Sequence, residues 1–141
     1  WILSDITACG ANADAVRRAV PAPATELLVA YVYDYVARQN PVGFFGMVHV
    51  LEGTSQALAT RAAQVIRAGL GLPAEAFTYL SSHGSLDQEH VRFFTTLMDR
   101  LESIEDQQSV VHVAGLVYRL YGDVFRGLPR AGAPEREREA A

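Results

Sequence analysis

The sequence predicts an all-α protein, a helical bundle of one domain. Three observations carry this: apolar residues recur at helical spacing through most of the chain, no Val/Ile/Thr-rich segment alternates as a half-buried strand would, and prolines stand between the periodic segments. A short helix is expected over Asn12 to Val20, closed by Pro21 and Pro23. A second runs from about Thr25 to Gln39, before Asn40 and Pro41. The third takes Pro41 into its first turn and continues to about Leu70, where Gly69, Gly71 and Pro73 stop it. A turn of helix at Ala74 to Tyr79 then leads to Ser81 and Ser82, either able to cap a fourth helix reaching about Ser103. The fifth runs from near Glu105 to Phe125. Residues 1–129 thus form the helical domain, and residues 130–141, small, charged and without apolar spacing, read as a solvated tail.

Composition narrows the function. Half of the 141 residues are apolar, enough for one sizeable core. Cys9 is the only cysteine, which excludes an internal disulfide and fits a reducing, cytoplasmic setting. The apolar stretches Leu27 to Ala37 and Val42 to Leu51 are broken by Asp34 and His49 and fall short of the roughly 20 residues a membrane span needs. No basic leader with a cleavage site opens the sequence, and Trp1 in place of an initiating Met points to a processed or truncated chain. A formal charge of −4 without a basic stripe argues against nucleic acid. There is no lysine, which removes Schiff-base catalysis and the Walker-type phosphate loop.

Four residues stand out as metal ligands. His83, Asp87 and His90 are spaced by four and three residues and project within about 60° of one another on a helix. Phe94, Leu97 and Leu101 continue their stripe, whereas Gln88, Arg92, Thr95 and Asp99 fall opposite, so the triad is expected to face the core. Inward polar groups need partners, and a metal would serve all three; bonding to arginine and water is the alternative. On the third helix Glu52 shares a face with Phe45, Val48, Ala59, Ala63, Ile66 and Leu70, which makes it either a ligand or one half of a buried salt bridge. Glu and His from facing helices are a common way for a bundle to hold iron, with manganese and zinc as competitors. His49, three residues before Glu52, and Asp34 are possible supporting residues around the ligands, although pairing with an arginine is the expected fate of Asp34. His112 falls on the outer side of a helix that buries Val110, Val113, Val117, Tyr121 and Val124, and Cys9 has no neighbouring base to activate it.

The string Gly-Phe-Phe-Gly-Met-Val-His-Val-Leu-Glu-Gly from Gly43 to Gly53, followed by His83-Gly-Ser-Leu-Asp87-Gln-Glu-His90, resembles the iron-containing redox enzymes of the heme-oxygenase-like diiron oxidase superfamily. The Pro41-to-Gly46 helix entrance and the closing Val117-Tyr118-Arg119-Leu120-Tyr121-Gly122 support the likeness. The resemblance implies a heme-oxygenase-like helical fold, of which residues 1–129 would be the C-terminal part without its N-terminal helices, and two iron ions. A Glu and a His on an earlier helix join four later ligands, which match Glu52, His83, Asp87 and His90 here. Glu52 would bridge or chelate, His83 and His90 would be nitrogen ligands, and Asp87 a labile carboxylate. No Glu/His pair between Trp1 and Gln39 replaces the earlier two, which are expected before Trp1 or from elsewhere: a complementary N-terminal segment, or a second copy in a homodimer. The implied reaction is oxidation of a small organic substrate with O₂ as co-substrate. Two alternatives stand beside it: a non-catalytic helical interaction module, and a metal-free enzyme of the thiamine-degrading or quinone-forming type (TENA/PQQC-like) that shares the fold.

Overall fold

The computed structural model describes residues 1–129, and the backbone alone for residues 84–89. It is all-α: α1 (Ile2–Ala8), α2 (Ala13–Arg18), α3 (Pro23–Arg38), α4 (Phe44–Leu70), α5 (Thr78–Met98) and α6 (Ile104–Arg126), with 3-10 turns at Pro41–Gly43 and Ala74–Phe77 and no strand among the described residues. None of these helices is long and apolar enough to cross a membrane. The chain divides into two compact units, one of Trp1–Ala19 with Leu51–Arg100, the other of Val20–Val50 with the segment from Leu101 onward. The tail expected at 130–141 lies outside the described residues.

The unit built on α3, the start of α4 and α6 is organised around Val32, Val50, Val113 and Val117, with Leu28, Tyr31, Tyr35 and Met47 packed against them. The face expected for α6 is the observed one: Val113 and Val117 are buried and Val110, Tyr121 and Val124 half-buried. Two glycines set how closely the helices meet. A Cβ on Gly43 would stand 2.5 Å from Tyr35 Cε1 and 2.7 Å from Ser109 Oγ, and one on Gly46 2.4 Å from the Val110 carbonyl oxygen. Polar bonds close the same end: Tyr35 Oη and Ser109 Oγ are 2.9 Å apart, and Asn40 Nδ2 donates to Asp106 Oδ1 at 2.7 Å. Asn40 Oδ1 also accepts the Val42 N–H at 3.0 Å, which starts the 3-10 turn, and Ser103 caps α6. Pro41 therefore lies in a 3-10 turn that runs into α4, not in the first α-helical turn itself.

The other unit has a small core of Ala63, Ala76 and Phe77, against which Ala8, Leu72 and Leu80 pack. Asn12 caps α2 by accepting the Ala15 N–H at 3.0 Å. The helix α1 has no counterpart in the sequence reading. It corrects a second expectation too: α5 begins at Thr78, immediately after the 3-10 turn, and not behind a Ser81 or Ser82 cap. An acceptor for a free N–H of its first turn comes from across the unit, because Asp5 Oδ2 accepts the Tyr79 N–H at 2.8 Å. Ser82 instead turns its hydroxyl onto the Tyr79 carbonyl at 3.0 Å. At its other end α5 stops at Met98, short of Ser103, which serves as the N-cap of the next helix.

The apolar stripe expected on α4 is only partly covered. Ala59 and Ala63 are buried, but Ile66 and Leu70 are 41% and 69% exposed. On α5, Phe94 and Leu97 are half-buried and Arg92, Thr95 and Asp99 exposed, in line with the periodicity. Cover fails at one place: within this unit α5 packs on α1 and on the 3-10 turn that precedes it, so support is concentrated at its N-terminal end and His90 is exposed.

Candidate metal centre

The backbone of α5 carries His83, Asp87 and His90 on successive turns of one uninterrupted helix. His83 Nδ1 stands 2.9 Å from the Tyr79 carbonyl oxygen, one turn earlier. A carbonyl can only accept, so Nδ1 bears the hydrogen and Nε2 of the neutral ring keeps its lone pair, the state a metal-binding imidazole needs. The ring is held from two sides, 4.1 Å between centroids against Tyr79 and 5.9 Å edge-on to Trp1.

Glu52 reaches the same helix from α4. Its Oε1 lies 3.7 Å from His90 Nδ1, with side chains 33% and 58% exposed respectively. That exceeds hydrogen-bond range, and as a solvated ion pair it would contribute at most about 1 kcal/mol. The spacing has another reading. Two donors each about 2.1 Å from one ion, at about 90–120° to each other, stand roughly 3.0–3.6 Å apart, close to what is seen here. In donor chemistry the pair suits iron, and in spacing it can close on one ion with a small movement of exposed side chains. The Asp87 side chain lies outside the described residues, and among the described ones no three His, Cys, Asp or Glu groups come together.

The other residues singled out by sequence are exposed. His49 is exposed and belongs to the unit ending at Val50, whereas Glu52 belongs to the other. Asp34 pairs with Arg38 at 2.7 Å, the arginine partner expected of it, on an exposed and not an enclosed face of α3. His112 is exposed beside the Tyr35 ring, 5.9 Å between centroids, and Cys9 is exposed at the end of α1.

Three residues around His83 were not anticipated: Trp1, Tyr79 and Asp5. Tyr79 stands four residues before His83, a helical spacing that could have revealed it. Asp5 gave no signal, since its partners lie more than seventy positions away. It is buried, and its carboxylate accepts the Thr78 hydroxyl as well as the Tyr79 N–H. Burial alone would raise its pKa, but these bonds outweigh burial and hold it below the ordinary value.

A family model described as an iron-containing redox enzyme matches residues 1–122. No match was found among curated proteins or among solved structures.

Proposed function

This chain belongs to the family of iron-containing redox enzymes, and from that membership we propose that it is a non-heme oxidoreductase that oxidises a small organic substrate with O₂ at iron held by Glu52, His83, Asp87 and His90. The observation that carries the reading is the 3.7 Å approach of Glu52 Oε1 to His90 Nδ1 from two separate helices. The lone pair left on His83 Nε2 by the bond to Tyr79 supports it.

The helix spacing favours a pair of ions over one. His83 and His90 are seven residues apart, about 10 Å along the helix axis, too far to converge easily on a single ion. A pair of ions would accommodate that span, with His83 and His90 as nitrogen ligands to different ions. Glu52 and Asp87 would supply the charge that offsets the metals. Four protein ligands leave a pair of ions under-coordinated, so we further propose that other ligands come from a complementary segment or from a second copy of the chain. Iron, when bound, supplies the electrons that reduce O₂ and the oxidising power directed at the substrate. The protein's contribution is to hold His83 in one tautomer by Tyr79, orient its ring against Tyr79 and Trp1, and bring Glu52 to α5.

The exposure of Glu52 and His90 favours one competing reading, a surface ion pair in a non-catalytic module. Oxygen uptake after anaerobic loading with ferrous iron separates the two. The proposal expects iron-dependent O₂ consumption that falls at least tenfold in Glu52→Ala and in His90→Ala. Equal consumption by wild type and both variants would contradict it.

A further inference from the structure

We propose that Asp5 is a positioning residue for His83, acting through Tyr79, an inference that rests on reading His83 as a metal ligand. The connection is continuous. Asp5 Oδ2 accepts the Tyr79 N–H at 2.8 Å, and Oδ1 accepts the Thr78 hydroxyl. Tyr79 in turn accepts the His83 Nδ1 hydrogen on its carbonyl oxygen at 2.9 Å and lays its ring 4.1 Å from the imidazole. Among the described residues, the Tyr79 carbonyl and ring hold the imidazole beside Trp1 and the Ser82 hydroxyl, whose Oγ stands 3.5 Å from Nδ1, and Tyr79 is the residue that Asp5 holds.

Phe77, at the N-cap of the helix, offers no substitute for this carboxylate. It makes no side-chain cap, so the N–H groups of the first turn depend on acceptors from outside the helix. Asp5 is buried and well placed at this end, where a negative charge also suits the helix dipole. An imidazole in water exchanges between its two tautomers. Here the fixed carbonyl selects the Nδ1–H form, and the groups that orient a metal-binding imidazole commonly change metal affinity by about 10–100-fold when removed. Loss of Asp5 frees the first turn of α5, and with it the direction of the Tyr79 carbonyl.

The test uses the metal-free protein first. Ring-nitrogen NMR, with His83 assigned by comparison with His83→Gln, is expected to show a single Nδ1–H tautomer in the wild type. In Asp5→Ala a mixed population of both tautomers is expected, and in Asp5→Asn, which keeps the shape and one acceptor, a smaller but measurable fraction of the Nε2–H form. Cobalt(II) titration should then show affinity reduced about tenfold or more in Asp5→Ala, and about threefold in Asp5→Asn. Asn12→Ala, which removes the cap of α2 in the same unit, is the control for general destabilisation and should leave both readouts at wild-type values. If Asp5→Ala does not fold, Asp5→Asn decides alone. An unchanged tautomer and unchanged cobalt affinity in the folded variants would overturn the proposal, as would equal changes in Asn12→Ala. If the wild type binds no cobalt, the metal reading fails by itself, while the tautomer comparison still decides whether Asp5 positions His83.

Discussion

Replacing Gly46 by alanine should weaken the protein although alanine is the better helix former. The added Cβ would lie 2.4 Å from the Val110 carbonyl oxygen and 2.6 Å from the Ala114 nitrogen. Both are main-chain atoms of α6, so relief requires the two helices to separate by about 1 Å to reach ordinary contact, which loosens Val50 against Val113 and Val117 in the core they share. Overpacking of this kind costs about 3 kcal/mol at the upper end of its usual range, and the helix preference of alanine over glycine returns about 1 kcal/mol. The net loss is about 2 kcal/mol, or roughly 8 °C in Tm for a chain of this size. Gly53→Ala on the same helix supplies the comparison, because no atom of the described residues lies within 4 Å of a Cβ added there. That substitution should raise stability by up to about 1 kcal/mol. Thermal melts followed by circular dichroism measure both. A Gly46→Ala protein as stable as Gly53→Ala would refute the argument that close helix approach dictates this glycine.

Asp5 has a folded pKa below its ordinary value, so its contribution to stability is present above the unfolded pKa of about 3.9 and is lost as pH falls through the lower folded value. Urea unfolding should therefore show Asp5→Ala clearly less stable than wild type at pH 7, with the gap narrowing in strong acid; a gap that widened there would contradict the sign. Among the described residues the buried Tyr31 hydroxyl has no hydrogen-bond partner, and burial followed by the neighbouring Tyr35 raises its pKa. Tyr31→Phe should accordingly be neutral or slightly stabilising, whereas Tyr35→Phe, which forfeits the bond to Ser109, should cost about 1 kcal/mol; the reverse order in denaturant midpoints would count against both assignments. Cys9 is exposed and lies outside the ligand-bearing helices, so Cys9→Ala should retain iron and turnover, and selective loss of turnover would turn attention to thiol chemistry.

The long helices were legible because their signals are local. Proline and glycine mark both ends of α3 and the end of α4, and the 3.6-residue spacing of Val110, Val113 and Val117 declares the buried face of α6. What escaped was set by tertiary contact. The start of α5 is fixed by Asp5, far away in sequence, and local reading turned to Ser81 and Ser82 because serine is a frequent cap. The inward stripe of α5 was right in direction at Phe94 and Leu97, but periodicity cannot say whether a second element covers it, and at His90 the described residues leave it exposed. Ile66 and Leu70 failed for the same reason. For the site, helix spacing brought His83, Asp87 and His90 onto successive turns, and Glu52 stood out as a carboxylate in the apolar stripe of α4, whereas its approach to His90 is a tertiary contact that spacing along one helix cannot give.

Iron stoichiometry tests the central claim most directly. The protein is expressed with iron, loaded anaerobically with ferrous ions, freed of unbound metal and analysed for iron per chain, beside a His83→Ala/His90→Ala double variant whose circular dichroism matches the wild type. More than one iron per chain is expected in the assembled wild-type protein, and the double variant should lose most of it. Equal, negligible iron in both would contradict it.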